Sequence, residues 1–181
     1  RDLSHELIEC FGNLNKLCES IHLPFQAGSD RILKLMNRRY TREEYRKKIS
    51  LLRQRCPDIA ITADCIVGFP GESEEDFEMT MDLVSNIRFE GLFSFVYSPR
   101  KNTAAAGLPG AVPRDVALER LARLQKSQKS ITLEHNKAME GKVVEVLVED
   151  RSKNSKEELT GRTRTNKIVN FKGSADMLGG L

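Results

Sequence analysis

A carboxylate in the middle of an apolar run is the first feature of this sequence that demands a chemical explanation. Asp64 lies within Ile59-Ala60-Ile61-Thr62-Ala63-Asp64-Cys65-Ile66-Val67-Gly68. An ionised carboxyl survives there only if it is hydrogen-bonded, neutralised or turned toward a cavity. It therefore either caps neighbouring backbone or contacts a ligand. Three other segments mark places where apolar runs give way to loops: Gln26-Ala27-Gly28-Ser29, Gly68-Phe69-Pro70-Gly71-Glu72 and Ser98-Pro99-Arg100. Gly68 and Gly71 would let backbone approach a ligand closely, and the turn between them would aim N–H groups and a helix N-terminus at it. His22 fits a hydrogen-bonded core position or a ligand contact. Cations gather twice. Residues 38–55 hold Arg38, Arg39, Arg42, Arg46, Lys47, Lys48, Arg53 and Arg55 against Glu43 and Glu44, which suits a solvated helix face or phosphate tracking. Gly161-Arg162-Thr163-Arg164-Thr165-Asn166-Lys167, near Phe171, reads as a cationic hairpin, a polar turn or an RNA contact.

The elements that must position these groups alternate. Leu7, Cys10, Leu14, Leu17 and Cys18 repeat with a helical period over residues 4–20, with Ser4 as cap. A short strand over 21–25 leads to a helix with Ile32, Leu33, Leu35 and Met36 in one stripe. Thr41-x-x-Glu44 is a capping box for a second helix that stops at Pro57. The apolar run around Asp64 suits a strand covered on both faces. Ser73-x-x-Asp76 opens another helix, with Phe77, Met81, Val84 and Ile87 inward, and 91–97 is a third strand. Strand and helix in alternation imply parallel strands with right-handed crossovers, whose active sites gather at the strand-to-loop ends. After a Gly/Pro/Ala-rich loop over 98–112, Pro113 opens a long helix carrying Leu121, Leu124, Gln128, Ile131 and Met139. The pattern then changes to period two, with Val144, Val146 and Val148, and later Val169 and Phe171, on one face. The domain boundary falls at 139–141.

The composition suits such a chain. Its 181 residues are 39% hydrophobic and 30% charged, with mean hydropathy −0.43 and net charge +3. That excludes a membrane-embedded or disordered chain, and the near balance of charge does not by itself indicate nucleic acid. Both ends fall in mid-pattern, so the chain reads as a piece of a longer protein. Cys10, Cys18, Cys56 and Cys65 match neither zinc pairs nor the close cysteine runs of iron–sulfur sites. They read as reduced, mostly buried thiols of a cytoplasmic protein, and no metal site is visible.

Several of these motifs together resemble one family. His22-Leu-Pro-Phe-Gln26-Ala-Gly-Ser-Asp-Arg-Ile-Leu-Lys-Leu-Met-Asn-Arg38-Arg-Tyr-Thr41, Asp64-x-Ile66-Val-Gly68-Phe-Pro-Gly-Glu72-Ser73 and Tyr97-Ser-Pro-Arg100 are similar to the radical-SAM methylthiotransferases. Leu159-Thr-Gly-Arg162-Thr-Arg164-Thr-Asn-Lys167-Ile-Val-Asn-Phe171 resembles the RNA-binding TRAM domain of the branch that modifies tRNA, the tRNA-2-methylthio-N6-dimethylallyladenosine synthases. The resemblance implies an α/β fold. Residues 1–138 would be the C-terminal half of a partial TIM-like (β/α) barrel, including a linking helix over 113–138. Residues 139–181 would begin a small antiparallel β-barrel and stop before it closes. It also implies S-adenosylmethionine and two [4Fe–4S] clusters, whose cysteine motifs lie outside this chain, so the piece alone lacks the electron source for radical chemistry.

By comparison with the oxygen-independent coproporphyrinogen oxidases, the resemblance assigns roles residue by residue. Gln26 would contact the methionine part of the cofactor, and Arg38 would pair with its carboxylate, a task suited to a guanidinium fork. Asp64 would accept hydrogen bonds from the ribose hydroxyls, while Ile66 and Gly68 would line the adenine. Arg100 sits where relatives reach substrate or cofactor, although the common Arg-Pro-Gly-Thr loop reads Arg100-Lys101-Asn102-Thr103 here. Arg162, Arg164 and Lys167 would contact the anticodon stem-loop. The implied activity is 2-methylthiolation of N6-isopentenyladenosine beside a tRNA anticodon, by a cytoplasmic monomer without a membrane segment. Sister enzymes act on threonylcarbamoyl-adenosine or a ribosomal-protein aspartate, and a non-catalytic RNA-binding module is the alternative of another class.

Overall fold

Capping chemistry fixes where the helices begin in the computed structural model, which describes residues 3–153, 155 and 157–181. Ser4 accepts the Leu7 N–H and starts α1 (His5–Asn13). Thr41 and Glu44 exchange hydrogen bonds at the head of α3 (Arg42–Arg55), and Ser73 and Asp76 do the same for α4 (Glu74–Ile87). A short α2 (Asp30–Leu35) precedes α3, and α5 (Arg114–Lys137) follows Pro113. These helices alternate with three strands, β1 (Ser20–His22), β2 (Ala60–Val67) and β3 (Gly91–Val96), paired in parallel in the order β1-β2-β3.

One face of this sheet is the core. Ile61, Ala63, Cys65 and Val67 of β2 are closed off beneath Tyr45, Ile49 and Leu52 of α3, Phe77, Leu83 and Val84 of α4, and Leu124 and Ile131 of α5. The Phe25 and Phe89 rings stack 5.3 Å apart within it. On the other face Thr62, Asp64 and Ile66 are half-buried, and their register neighbours Phe93 and Phe95 are 57% and 54% exposed. The expectation of a strand covered on both faces therefore fails, because among the described residues no element packs over that side.

Beyond α5 lies a second sheet, β4 (Val146–Arg151), β5 (Glu158–Thr163) and β6 (Ile168–Lys172), antiparallel in sequence order. β4 and β5 shift register between Val148 and Asp150. Gly179 donates its N–H to the Val148 carbonyl, and the Val148 N–H donates to Gly180, so the last residues run beside β4. The half-barrel architecture followed by a small antiparallel sheet agrees with the expected fold class.

Several finer expectations are corrected. The first helix stops at Asn13, not residue 20, and it buries Ile8 with Phe11 partly covered. Leu7 and Leu14 are 43% and 54% exposed, so the apparent Leu/Cys period marked the wrong face. Cys18 consequently lies exposed in a loop, whereas Cys56 and Cys65 are buried. Leu35 faces outward because α2 is too short to carry a whole stripe. Val144 is exposed ahead of β4. β5 has a clear inward alternation, Leu159-Gly161-Thr163, but its middle position is a glycine. A Cβ there would lie 2.4 Å from the Leu147 carbonyl oxygen, so close strand approach both requires the glycine and hides the apolar period.

Candidate functional site

The open face of the parallel sheet presents Asp64 in a ring of partners drawn from all three strands. His22 of β1 puts Nε2 3.4 Å from an Asp64 carboxylate oxygen, and its Nδ1 lies 3.0 Å from the Thr62 hydroxyl. Phe93 of β3 stands edge-on to the His22 ring at 6.0 Å. Asp64 is the acidic centre of a shallow, half-solvated surface rather than a backbone cap, since His22 is its one polar contact among the described residues. The arrangement leaves carboxylate lone pairs facing outward, able to accept from hydroxyl groups.

Gln26 reaches the same neighbourhood through a local irregularity. Leu23 donates to the Thr62 carbonyl, whereas Gln26 bridges Cys65, donating to Asp64 and accepting from Ile66 at 2.9 Å each. Three residues thus span two on β2, which is a β-bulge at Pro24-Phe25, with Pro24 tolerated because β1 is an edge strand. The carbonyls of Leu23 and Phe25 are taken by the hydroxyls of Tyr45 (2.7 Å) and Tyr40 (3.0 Å). Gln26 then turns the chain with φ +68°. The sequence pattern offered no sign of this bulge beyond Pro24, nor of the tyrosine clamps that hold it.

The loops after β1 and β2 are bound to each other. Asp76 accepts from the Ser29 hydroxyl at 2.5 Å, from the Ser73 N–H and hydroxyl at 2.9 Å each, and from Arg31. Burial pushes its carboxyl pKa up, but these donors, Arg31 first, outweigh it and bring the value down to about 2. Gly28 lies so close to α4 that a Cβ would sit 2.5 Å from the Met79 carbonyl oxygen, and its N–H donates to Thr80. The Gly68 turn is likewise internally satisfied. The Gly68 N–H donates to Glu72 at 2.7 Å, Gly71 donates to Gly110, and the Glu72 carboxylate is buried against Arg120 at 2.8 Å. Burial raises the Glu72 pKa, with Gly68 and Arg120 opposing. The expectation that this turn points free N–H groups at a ligand is corrected accordingly. Gly68 is needed at φ +70°, and a Cβ on it would meet Ala117 of α5 at 2.6 Å.

Arg38 and Arg100 stand apart from Asp64. Arg38 follows Asn37 (φ +55°) and lines a cleft of about 640 Å³ with Pro24, Arg39, Tyr40, Lys47 and Lys48. Its Nε is buried with no partner among the described residues, the kind of orphaned donor that an anionic ligand group would satisfy. Arg100 is exposed beyond β3. In its loop Asn102 adopts φ +64°, a left-handed conformation that asparagine tolerates, and the Thr103 hydroxyl donates to the Arg100 carbonyl at 2.8 Å. The half-exposed Asp64 carboxylate suits hydroxyl donors, and the orphaned Arg38 donor, in its own cleft, suits an anionic group, the two kinds of polar group that S-adenosylmethionine carries. The cysteines do not fit an iron–sulfur cluster, because Cys65 points into the core, where burial pushes its thiol pKa far up. Among the described residues no three His, Cys, Asp or Glu side chains converge as a metal site.

The cationic hairpin joins β5 to β6 and lies against the other end of the parallel sheet. Arg164 forks onto Glu19 with two bonds of 2.8 Å and donates to the Asn15 and Leu17 carbonyls at 3.0 Å, which holds Glu19 below the usual carboxylate range. Lys167 donates to Glu90 and to Asn136. Only Arg162 of the three is paired within its own sheet, with Glu149 at 3.1 Å and Asn166 at 2.9 Å. Glu19 and Glu90 precede β1 and β3, so the hairpin meets the strand-entry edge. The eight residues of β2 set that edge roughly 25 Å from the exit loops.

Comparison with known proteins bears on both parts. Residues 2–84 match the Radical SAM superfamily and residues 137–179 match the TRAM domain. A protein of Syntrophus aciditrophicus named tRNA-2-methylthio-N(6)-dimethylallyladenosine synthase is 59% identical over all 181 residues, which cover 39% of its length. Proteins of the same name from Syntrophobacter fumaroxidans and Moorella thermoacetica are 55% and 51% identical, with 39% and 41% of their lengths covered. The chain thus spans about two fifths of these curated relatives. The structure of coproporphyrinogen III oxidase from Escherichia coli, described as a radical SAM enzyme, superposes on 87% of this chain and 46% of its own, with TM-score 0.50 and 12% identity. That likeness concerns the fold alone.

Proposed function

We infer, from a chain that belongs to the radical SAM superfamily and carries a TRAM domain, that it is the C-terminal part of a tRNA methylthiotransferase. The whole protein adds a methylthio group to carbon 2 of N6-isopentenyladenosine beside the anticodon. It works in the cytoplasm as a monomer, with the anticodon stem-loop as partner. No helix among the described residues is long and apolar enough to cross a membrane. Likeness over the full chain to proteins named for this reaction supports the reading, and the outward Asp64 carboxylate is the observation that carries it.

Within this chain the division of labour is the one the family resemblance implies, and the burial and contacts of Asp64 and Arg38 support it. Asp64, steadied by His22 at 3.4 Å, accepts from the ribose hydroxyls, and Ile66 and Gly68 border the adenine. Gln26 meets the methionine portion, and the unpartnered Nε of Arg38 pairs with its carboxylate. S-adenosylmethionine, when bound, supplies the transferred methyl group and, with cluster ligands from outside this chain, the radical chemistry. Arg100, at the exit of β3, reaches toward the substrate, and Arg162 faces the RNA. Deleting the gene is expected to remove the 2-methylthio nucleoside from bulk tRNA, with wild type but not Asp64→Ala restoring it. An unchanged nucleoside in the deletion strain would reject this reading.

A further inference from the structure

We propose that Arg164 and Lys167 are positioning residues that lock the TRAM sheet onto the strand-entry edge of the barrel, and are not contacts to RNA. The inference deepens the proposed function and rests on it only where tRNA is the probe. The Nε edge of the Arg164 guanidinium is taken up within the protein, and its other Nη faces Glu145 at 3.9 Å. Its Nε and one Nη take both oxygens of Glu19, and the same Nη serves two backbone carbonyls. A phosphate gripped by the same Nε edge would have to displace Glu19, and that planar fork is the geometry in which arginine outperforms lysine. Lys167 is 17% exposed, and its Glu90 partner also faces His135 at 3.1 Å.

Two anchors do what one cannot. Glu19 and Glu90 flank β2, at the starts of the two outer strands, and strands lie about 4.8 Å apart, so the anchors are roughly 10 Å from one another. A single ion pair would let the hairpin swivel, and a second fixes its orientation. The turn that carries both cations is itself stiff, with Asn166 at φ +63° and hydrogen bonds between Thr163 and both Lys167 and Asn166. Packing contributes less here. A cavity of about 590 Å³ separates hairpin from barrel, bordered by Ile59, Ile61, Met139 and Val144. Direct charge pairs beside an open cleft, rather than a sealed apolar seam, therefore set the angle between the two sheets.

The test uses the full-length protein with three variants: Arg164→Ala, Arg164→Lys, and the swap Glu19→Arg with Arg164→Glu. Tryptic cleavage at Lys142, in the connector between α5 and β4, reports undocking. It should quicken about tenfold for Ala and Lys alike and return most of the way in the swap, because cleavage follows the open population. Titration with tRNA supplies the contrary outcome. If Arg164 holds a phosphate, Lys should bind as wild type, Ala should lower the log–log salt slope by roughly 0.7, and the swap should rescue nothing. Unchanged cleavage rates in the Ala variant would also overturn the lock. A wild-type protein that fails to bind tRNA would refute the proposed function while the cleavage rates still decided this inference.

Discussion

Replacing Asp76 by asparagine should loosen the loops that frame the candidate cofactor face, and its cost can be worked out. The carboxylate takes four hydrogen bonds, from Ser29, Arg31 and the Ser73 backbone and hydroxyl. Its pKa falls from an ordinary 3.8 to about 2 in the folded chain. At 1.36 kcal/mol per tenfold change in proton affinity, this difference amounts to about 2 kcal/mol of stability. A depressed folded pKa places that stability above pH 3.8 and removes it as pH falls through about 2. Roughly half should remain at pH 3. Urea unfolding of wild type and Asp76→Asn at pH 7 and at pH 3 measures the gap, and comparing the two proteins cancels every other carboxylate. The gap should be about 2 kcal/mol at neutral pH and about half that at pH 3. A gap that did not change with pH would refute the premise that a buried, ionised Asp76 ties Ser29 to Ser73.

Arg120→Ala strands the buried Glu72 carboxylate and should cost about 3–5 kcal/mol at pH 7. Because burial raises the Glu72 pKa, the deficit should shrink toward acid, and a deficit that grows there would contradict the pairing. Gly28→Ala drives a Cβ to 2.5 Å from α4 backbone, so a loss of about 1–3 kcal/mol is expected in thermal unfolding. A neutral substitution would mean that the Gln26 loop is free to lift. Phe171, half-buried opposite Leu159 in β6, should lower stability when cut to alanine and leave the salt slope of tRNA binding alone. A ring that stacks on a base would instead lower tRNA affinity by about 1–3 kcal/mol with the salt slope again unchanged, and leave stability alone.

Much of this architecture was legible because local chemistry and tertiary structure agree. Thr41/Glu44 and Ser73/Asp76 announce helices that begin where those boxes place them, and the apolar run around Asp64 is a strand of the parallel sheet. Legibility failed where a side chain answers to something distant in sequence. The Leu/Cys spacing of residues 7–18 looks helical, yet in α1 it is Ile8 that is buried and Phe11 that is partly covered, because α3 packs on one side of so short a helix. The β5 strand hid behind Gly161, whose absence of a side chain serves close strand approach. At the site, Asp64 could be singled out from its polarity alone. The bulge that delivers Gln26 depends on tyrosines 15 and 22 residues away from the carbonyls that they hold, Tyr40 and Tyr45 acting on Phe25 and Leu23. Arg164 showed in the sequence as a cation without a counter-ion, because its partner, Glu19, is separated from it by 145 residues.

The central claim is that the open face around Asp64 holds S-adenosylmethionine, and affinity for that molecule tests it most directly. Equilibrium dialysis against labelled S-adenosylmethionine would compare the reconstituted full-length enzyme with Asp64→Ala and Arg38→Ala, with cluster content checked by iron and sulfide analysis. Loss of a desolvated charged hydrogen bond costs ~2–5 kcal/mol, so both variants should bind more than about tenfold more weakly while retaining both clusters. Wild-type affinity in Asp64→Ala would contradict the account and leave that carboxylate as a polar patch on an open sheet.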